Sequence, residues 1–317
     1  MTLAMVFPGQ GSQSIGMFAA YGQSPVVRET IALASDILQQ DLAKLVAQGP
    51  VEALSKTVNT QPLMVTVGVA AYRLWRSLGG PVPAVMAGHS LGEYTALVAA
   101  GALRLEDCLP LVRFRAQAMQ EAVPQGTGAM AAILGLDDDA IRAACDESAQ
   151  GEVVEPVNFN APSQVVIAGH AAAVARAGDA CKARGAKRVI ALPVSAPFHS
   201  SLLAPAAVRL AARLEQIPLA SPTVPVIHNF DVAEHPQSAA IRAALSAQAD
   251  HPVRWSESVL AMANRGVTRI AECGPGKVLA QLVKRIDARL TGVALNDIMA
   301  IEAELAQVRQ QMDIRHE

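Results

Sequence analysis

The sequence predicts a mixed α/β protein with a parallel sheet, interrupted by a smaller α/β unit, and three observations carry that prediction. The first is the stretch Gly88-His89-Ser90-Leu91-Gly92, which follows the apolar run 83–87 and precedes the helix-prone run 93–98, so strand, tight turn and helix succeed one another. The second is the alternation of short apolar runs with helix-period segments at both ends of the chain. The third is the order β-α-β-β-α-β between Gly126 and Val194, which is that of a ferredoxin-like unit. Residues 126–194 are therefore expected to form a small inserted domain, and 1–125 with 195–317 the large one.

Each element follows from local pattern. Ala4 to Phe7 is a short strand running into the loop Pro8-Gly9-Gln10-Gly11-Ser12-Gln13, placed where open α/β sheets bind ligands. A phosphate loop is excluded there, because the Gly-Lys-Ser/Thr sequence is missing. Pro25 to Gln40 and Val51 to Ser55 have helical spacing, and Thr60-Gln61-Pro62 is expected to cap and start a long helix reaching Leu78. After the Ser90 turn, Gly101 marks a stop and a helix is expected from Leu105 to Ala122. On it Arg115 has Leu111 and Met119 four residues to either side, so it should face the core, where an unpaired guanidinium is costly and a partner is expected. An arginine snorkelling at the core edge is the plainer alternative.

Within the insert, strands are expected at 129–134, 153–158, 165–168 and 188–194, with helices at 137–149 and 171–184. Beyond it, Pro197-Phe198-His199-Ser200 places a histidine in a proline-fixed segment ahead of a helix over 202–214. The remainder alternates strand 224–227, helices 239–248 and 256–264, strand 268–272, helix 277–289 and strand 293–295. Gly274-Pro275-Gly276 reads as a tight turn or an anion-binding loop, and the residues after Asp297 as a charged, peripheral helical tail.

Composition narrows the function classes. The chain has 317 residues, 51% hydrophobic but only 3% aromatic, so alanine, valine and leucine must do most of the packing. Lys+Arg number 26 against Asp+Glu 28, without a basic block, which argues against nucleic-acid binding and for small-molecule chemistry. Cys108, Cys145, Cys181 and Cys273 are scattered without C-x-x-C spacing, so no metal site is expected and reduced buried thiols are. With no basic residue before Arg28 and no unbroken apolar span, the protein is expected in the cytoplasm, off the membrane.

The Ser90 pentapeptide is the strongest chemical signal. A G-x-S-x-G turn between strand and helix is the context of a nucleophile elbow, in which glycines two residues to either side allow the close approach and the serine stands exposed at the strand end. Taken together and in order, Gly9-Gln10-Gly11-Ser12-Gln13, Gly88-His89-Ser90-Leu91-Gly92-Glu93-Tyr94, Arg115, Asn158-Phe159-Asn160, Phe198-His199-Ser200, Asn229 and Gly274-Pro275-Gly276-Lys277 make the chain resemble the malonyl-CoA:acyl carrier protein transacylase family, from about Ala4 to Leu295.

That resemblance implies an α/β-hydrolase-like large domain carrying the ferredoxin-like insert. It implies Ser90 as nucleophile, His199 as base oriented by the backbone carbonyl of Gln248, and an oxyanion hole from the N–H groups of Gln10 and Leu91. Arg115 would bind the malonyl carboxylate, with Gln61, His89, Asn160 and Phe198 also contacting substrate, and Phe198 narrowing the pocket beside the malonyl α-carbon. The substrates would be malonyl-CoA and the phosphopantetheine thiol of acyl carrier protein, with no permanently bound cofactor and a monomeric enzyme. Basic residues such as Lys182, Arg184, Lys284, Arg285 and Arg289 could meet the acidic carrier. A serine hydrolase or thioesterase shares the elbow but ends at water, and a non-catalytic CoA- or carrier-binding subunit shares the surface but has no use for Ser90.

Overall fold

The computed structural model describes residues 2–313. The chain opens with β1 (Leu3–Phe7) and continues through α1 (Pro25–Leu38), α2 (Leu42–Gln48), α3 (Val51–Leu54) and α4 (Thr57–Ser77). β2 (Val85–Gly88) enters α5 (Gly92–Ala99) through the Ser90 turn, and α6 (Leu105–Glu121) follows. Next come β3 (Gly128–Leu134), α7 (Asp138–Ala149), β4 (Val154–Ala161), β5 (Gln164–His170), α8 (Ala171–Ala183) and β6 (Arg188–Ala191). The chain then returns through α9 (Ala204–Leu214), β7 (Val226–Ile227), α10 (Ser238–Ala247), α11 (Trp255–Asn264), β8 (Arg269–Cys273), α12 (Val278–Ile286), β9 (Thr291–Leu295) and α13 (Ile298–Asp313).

Two sheets result. The first runs β7-β2-β1-β8-β9, every pair parallel, with β1 at its centre. All five residues of β1 are buried, as a parallel strand covered on both faces requires. The second runs β4-β5-β3-β6 and is antiparallel throughout. One face of it packs Ile133, Val165 and Ile167 against Ile141 of α7 and Val174 of α8. On the other, Met130, Val157 and Val166 meet Leu192, Val194 and Phe198. That second face turns toward the Ser90 turn, so the site lies between the sheets.

Several expectations need correction. The long helix α4 starts at Thr57 rather than Thr60, which leaves Pro62 inside the helix and one backbone rung unmade. Thr60 is no cap: its hydroxyl donates back to the carbonyl of Leu54 at 2.7 Å. β6 ends at Ala191, short of Val194: the Leu192 N–H still donates to the carbonyl of Met130, but the Val194 N–H turns back onto the carbonyl of Leu192 instead of continuing the ladder. The short helix α2 was not expected from the sequence. The tail helix α13 is not peripheral: Ile301, Leu305 and Val308 are buried, and buried Glu304 pairs with Arg269 of β8. The four cysteines are buried and unpaired.

Two glycines set the geometry of the turn. A Cβ on Gly88 would lie 1.8 Å from the carbonyl carbon of Gly92, and one on Gly92 would lie 2.0 Å from the carbonyl oxygen of Phe7. Both obstacles are backbone, so neither can swing away, and Ser90 itself is held at φ 51°. Gly92→Ala is expected to lower stability by at least about 4 kcal/mol or to prevent folding, measured by denaturant unfolding of the variant beside the unaltered protein.

Candidate active site

The Ser90 turn stands at the carboxyl ends of β1 and β2, where parallel sheets open toward ligands. The loop after β1 leans on it: the N–H of His89 donates to the carbonyl of Phe7 at 3.0 Å, and Gly9 leaves room for the carbonyl of His89, which a Cβ there would approach to 2.7 Å. Gly274 and Gly276 pack against Pro8 and Ser12 of the same loop, which makes Gly274-Pro275-Gly276 a buttressing turn.

His199 arrives from beyond the second sheet, also with positive φ, 66°. Its Nε2 lies 2.7 Å from Ser90 Oγ, and its Nδ1 2.7 Å from the carbonyl oxygen of Gln248 just after α10. A carbonyl can only accept, so Nδ1 carries the proton and Nε2 presents a lone pair to the serine hydroxyl. Burial, then the nearby Arg115 guanidinium, pushes the His199 pKa down to about 3, against the carbonyl bond, which acts upward. The imidazole is neutral and ready to accept a proton from Ser90.

Arg115 of α6 is 2% exposed, as its position between Leu111 and Met119 predicts. Its NH1 donates to Gln61 Oε1 at 3.0 Å, and its NH2 to Gln248 Oε1 at 2.9 Å and Ser90 Oγ at 3.2 Å. Its Nε–H has no partner, and the ring of Tyr94 lies 5.4 Å below. Among the described residues no carboxylate pairs with it, and burial draws its pKa down. A buried cation answered only by neutral groups, beside a serine hydroxyl, can accept an anionic group such as a carboxylate.

A cavity of about 520 Å³ joins these groups, lined by Gln10, Gly11, Gln13, Ser55, Gln61, His89, Ser90, Leu91, Arg115, Met130, Asn158, Leu192, Pro193, Val194, Phe198 and His199. The backbone N–H groups of Gln10 and Leu91 are committed to no hydrogen bond among the described residues, so both can meet a ligand oxygen. Asn160, expected at the substrate, is not on the wall. Its Oδ1 lies 2.8 Å from His89 Nε2 and holds that ring, which is itself kept neutral by burial, while Asn158 faces the cavity instead.

A layer of polar side chains lies beneath the turn, and the side chains of Asn229 and Gln248 in it had no expected role. Ser90 N–H donates to Asn229 Oδ1 at 2.7 Å, Asn229 Nδ2 donates to the carbonyl of Gly88 at 2.7 Å, and Gln248 Nε2 donates to the carbonyl of Ser90 at 2.9 Å. Glu93, the one charged residue of α5, is buried with them, and a charge removed from water needs such partners. Of the basic residues considered for a partner surface, Lys182, Arg184 and Arg289 are already paired with Asp179, Glu147 and Asp287.

Comparison with known proteins agrees with this geometry. The family model for the acyl transferase domain matches residues 4–308. The malonyl CoA-acyl carrier protein transacylase of Salmonella typhimurium is 55% identical over 305 residues, 96% of this chain and 99% of that one. The crystal structure of an acyl-carrier-protein S-malonyltransferase from Burkholderia pseudomallei superposes with a TM-score of 0.95 at 56% identity, covering 96% of this chain and all of that one. A malonyl-transacylase in complex with its type II polyketide acyl carrier protein does so with a TM-score of 0.95 at 51% identity, covering 97% of this chain and 100% of its own. The chain is an acyltransferase and belongs to the malonyl-CoA:acyl carrier protein transacylase family.

Proposed function

We propose that the protein moves a malonyl group from malonyl-CoA to the phosphopantetheine thiol of acyl carrier protein through a malonyl ester on Ser90. The observation that carries this reading is the buried guanidinium of Arg115 within 3.2 Å of a serine hydroxyl that already faces the neutral Nε2 of His199. Relatives named for this transfer, one of them seen with its carrier protein, support the same pair of substrates.

The steps follow from the atoms present. Ser90 Oγ attacks the thioester carbonyl while its proton passes to His199 Nε2, and the carbonyl oxygen gathers negative charge facing the N–H groups of Gln10 and Leu91. Collapse breaks the carbon–sulfur bond and His199 returns the proton to the CoA thiolate. The carrier thiol then gives its proton to His199, attacks the ester, and leaves Ser90 as a hydroxyl. Throughout, the malonyl carboxylate lies on Arg115. Its negative charge offsets the guanidinium that depresses the basicity of His199, so a correctly bound acyl group also eases proton transfer. Phe198 and Met130 close the apolar side of the cavity, and Gln61 steadies Arg115 from α4.

The domain assignment goes with this reading: residues 1–125 and 195–317 as an α/β-hydrolase-like unit, and 126–194 as a ferredoxin-like lid that contributes Met130 and Asn158. Every group invoked comes from one chain, so a monomer suffices. The unpaired buried thiols suit the cytoplasm, and among the described residues no helix is long and apolar enough to cross a membrane.

Three outcomes test the proposal. Intact-mass analysis after mixing with malonyl-CoA should show a malonyl adduct that Ser90→Ala abolishes, with transfer reduced by ~10⁴–10⁶-fold; steady malonate release without an adduct would instead indicate a hydrolase. Arg115→Ala should lose about 10- to 100-fold of the malonyl-over-acetyl preference, the worth of one charged hydrogen-bonded pair, read as the ratio of kcat/KM values. With His199 held at about pKa 3, the pH profile of kcat/KM should be level from about pH 5.5 to 8 and fall only in stronger acid; an inflection near 6.5 would contradict a buried neutral base.

A further inference from the structure

Behind the cavity wall lies a carboxylate that the mechanism above does not use. Glu93 has no exposed surface, and none of its atoms lines the cavity. Its Oε1 accepts from His228 Nδ1 at 2.7 Å, and its Oε2 from the N–H of Asn229 at 2.8 Å and from Gln248 Nε2 at 2.9 Å. These three partners are themselves fully buried. A carboxylate removed from water is tolerated only when its oxygens are met by donors, and here they are met by three.

Two of those donors lead directly to reacting groups. Asn229 clamps the turn on both sides of the nucleophile, through Ser90 N–H and the carbonyl of Gly88. Gln248 is the junction of the site. Its backbone carbonyl holds His199, its Oε1 accepts from Arg115, and its Nε2 donates to Glu93. The amide thus lies between a cation and an anion, oxygen toward the first and nitrogen toward the second, which allows only one of its two flipped orientations. Ser90 and His199 both sit at positive φ, a conformation that is costly for such residues and persists only where the surroundings over-determine it. The network around Glu93 supplies that constraint.

We propose that Glu93 is a positioning residue for acyl transfer: through Asn229 and Gln248 its carboxylate holds the Ser90 turn, the His199 base and the Arg115 guanidinium in one frame, with His228 fixing the carboxylate from behind. The inference rests on the function proposed above. A carboxylate that served folding alone would change stability but leave the folded enzyme's kcat and acyl preference as they were. A positioning carboxylate changes both, because displacement of such groups by about 1 Å costs on the order of 100-fold.

Glu93→Gln removes the carboxylate and replaces one acceptor oxygen with an NH2 group, which meets the N–H of Asn229 or the NH2 of Gln248 donor against donor, or at His228 Nδ1 forces that ring into its other tautomer. For the variant, shown to be folded by circular dichroism at the assay temperature, kcat for malonyl transfer should fall about 10- to 100-fold and the malonyl-over-acetyl preference should narrow. His228→Asn keeps a donor close to the place of Nδ1 and should retain most of kcat, whereas His228→Ala should lose about tenfold. Folded Glu93→Gln with kcat and preference within about twofold of the unaltered enzyme would overturn the inference. Should Glu93→Gln not fold, equal kcat in His228→Asn and His228→Ala would do so in its place. Absence of a malonyl adduct on Ser90 in the unaltered enzyme would instead overturn the function on which the inference rests.

Discussion

A guanidinium enclosed in the protein without a carboxylate partner is the constraint on which the rest of the site depends. Arg115 reaches its position because α6 turns that residue inward between apolar neighbours, and its charge then has to be met by whatever surrounds it. Gln61, Gln248 and the Ser90 hydroxyl answer it as neutral dipoles. They meet its two terminal nitrogens, leave Nε–H without a partner among the described residues, and do not neutralise its charge.

The base is tuned by the same charge. A buried carboxylate behind His199 would favour its protonated form, and a carbonyl oxygen fixes the same tautomer with far less pull. Burial first, and the Arg115 charge second, keep the imidazole unprotonated. In the proposed transfer, a carboxylate-bearing acyl group on Arg115 would offset that second contribution, so recognition and proton transfer would share one side chain.

Much of this was legible because the chemistry imposes local rules. Ser90 announced itself through Gly88 and Gly92, whose missing side chains the backbone contacts explain. Arg115 was legible from its neighbours at helical spacing, and His199 from the prolines before it. Asn160 was expected at the substrate only because the family resemblance implied it, and the fold sets its Oδ1 against His89 Nε2. The tail helix read as peripheral because its charges hid a buried stripe, Ile301, Leu305 and Val308, whose partner surface exists only once β8 and β9 have formed.

By itself the sequence pointed to the strand–turn–helix at Ser90, to the run of four strands and two helices between Gly126 and Val194, and to Ser90, His199 and Arg115 as candidate site residues. Tertiary structure alone decided how they meet. Ser90 and His199 stand 109 residues apart and Ser90 and Gln248 158 apart, so no local pattern encodes the 2.7 Å and 2.9 Å contacts that join them. Glu93 shows the difference most plainly: in the sequence it is one acidic residue in the first turn of a helix, a place where such charges are ordinary. Only the packing of β7 and the end of α10 against that helix removes it from water and makes it the anchor of the layer beneath the site.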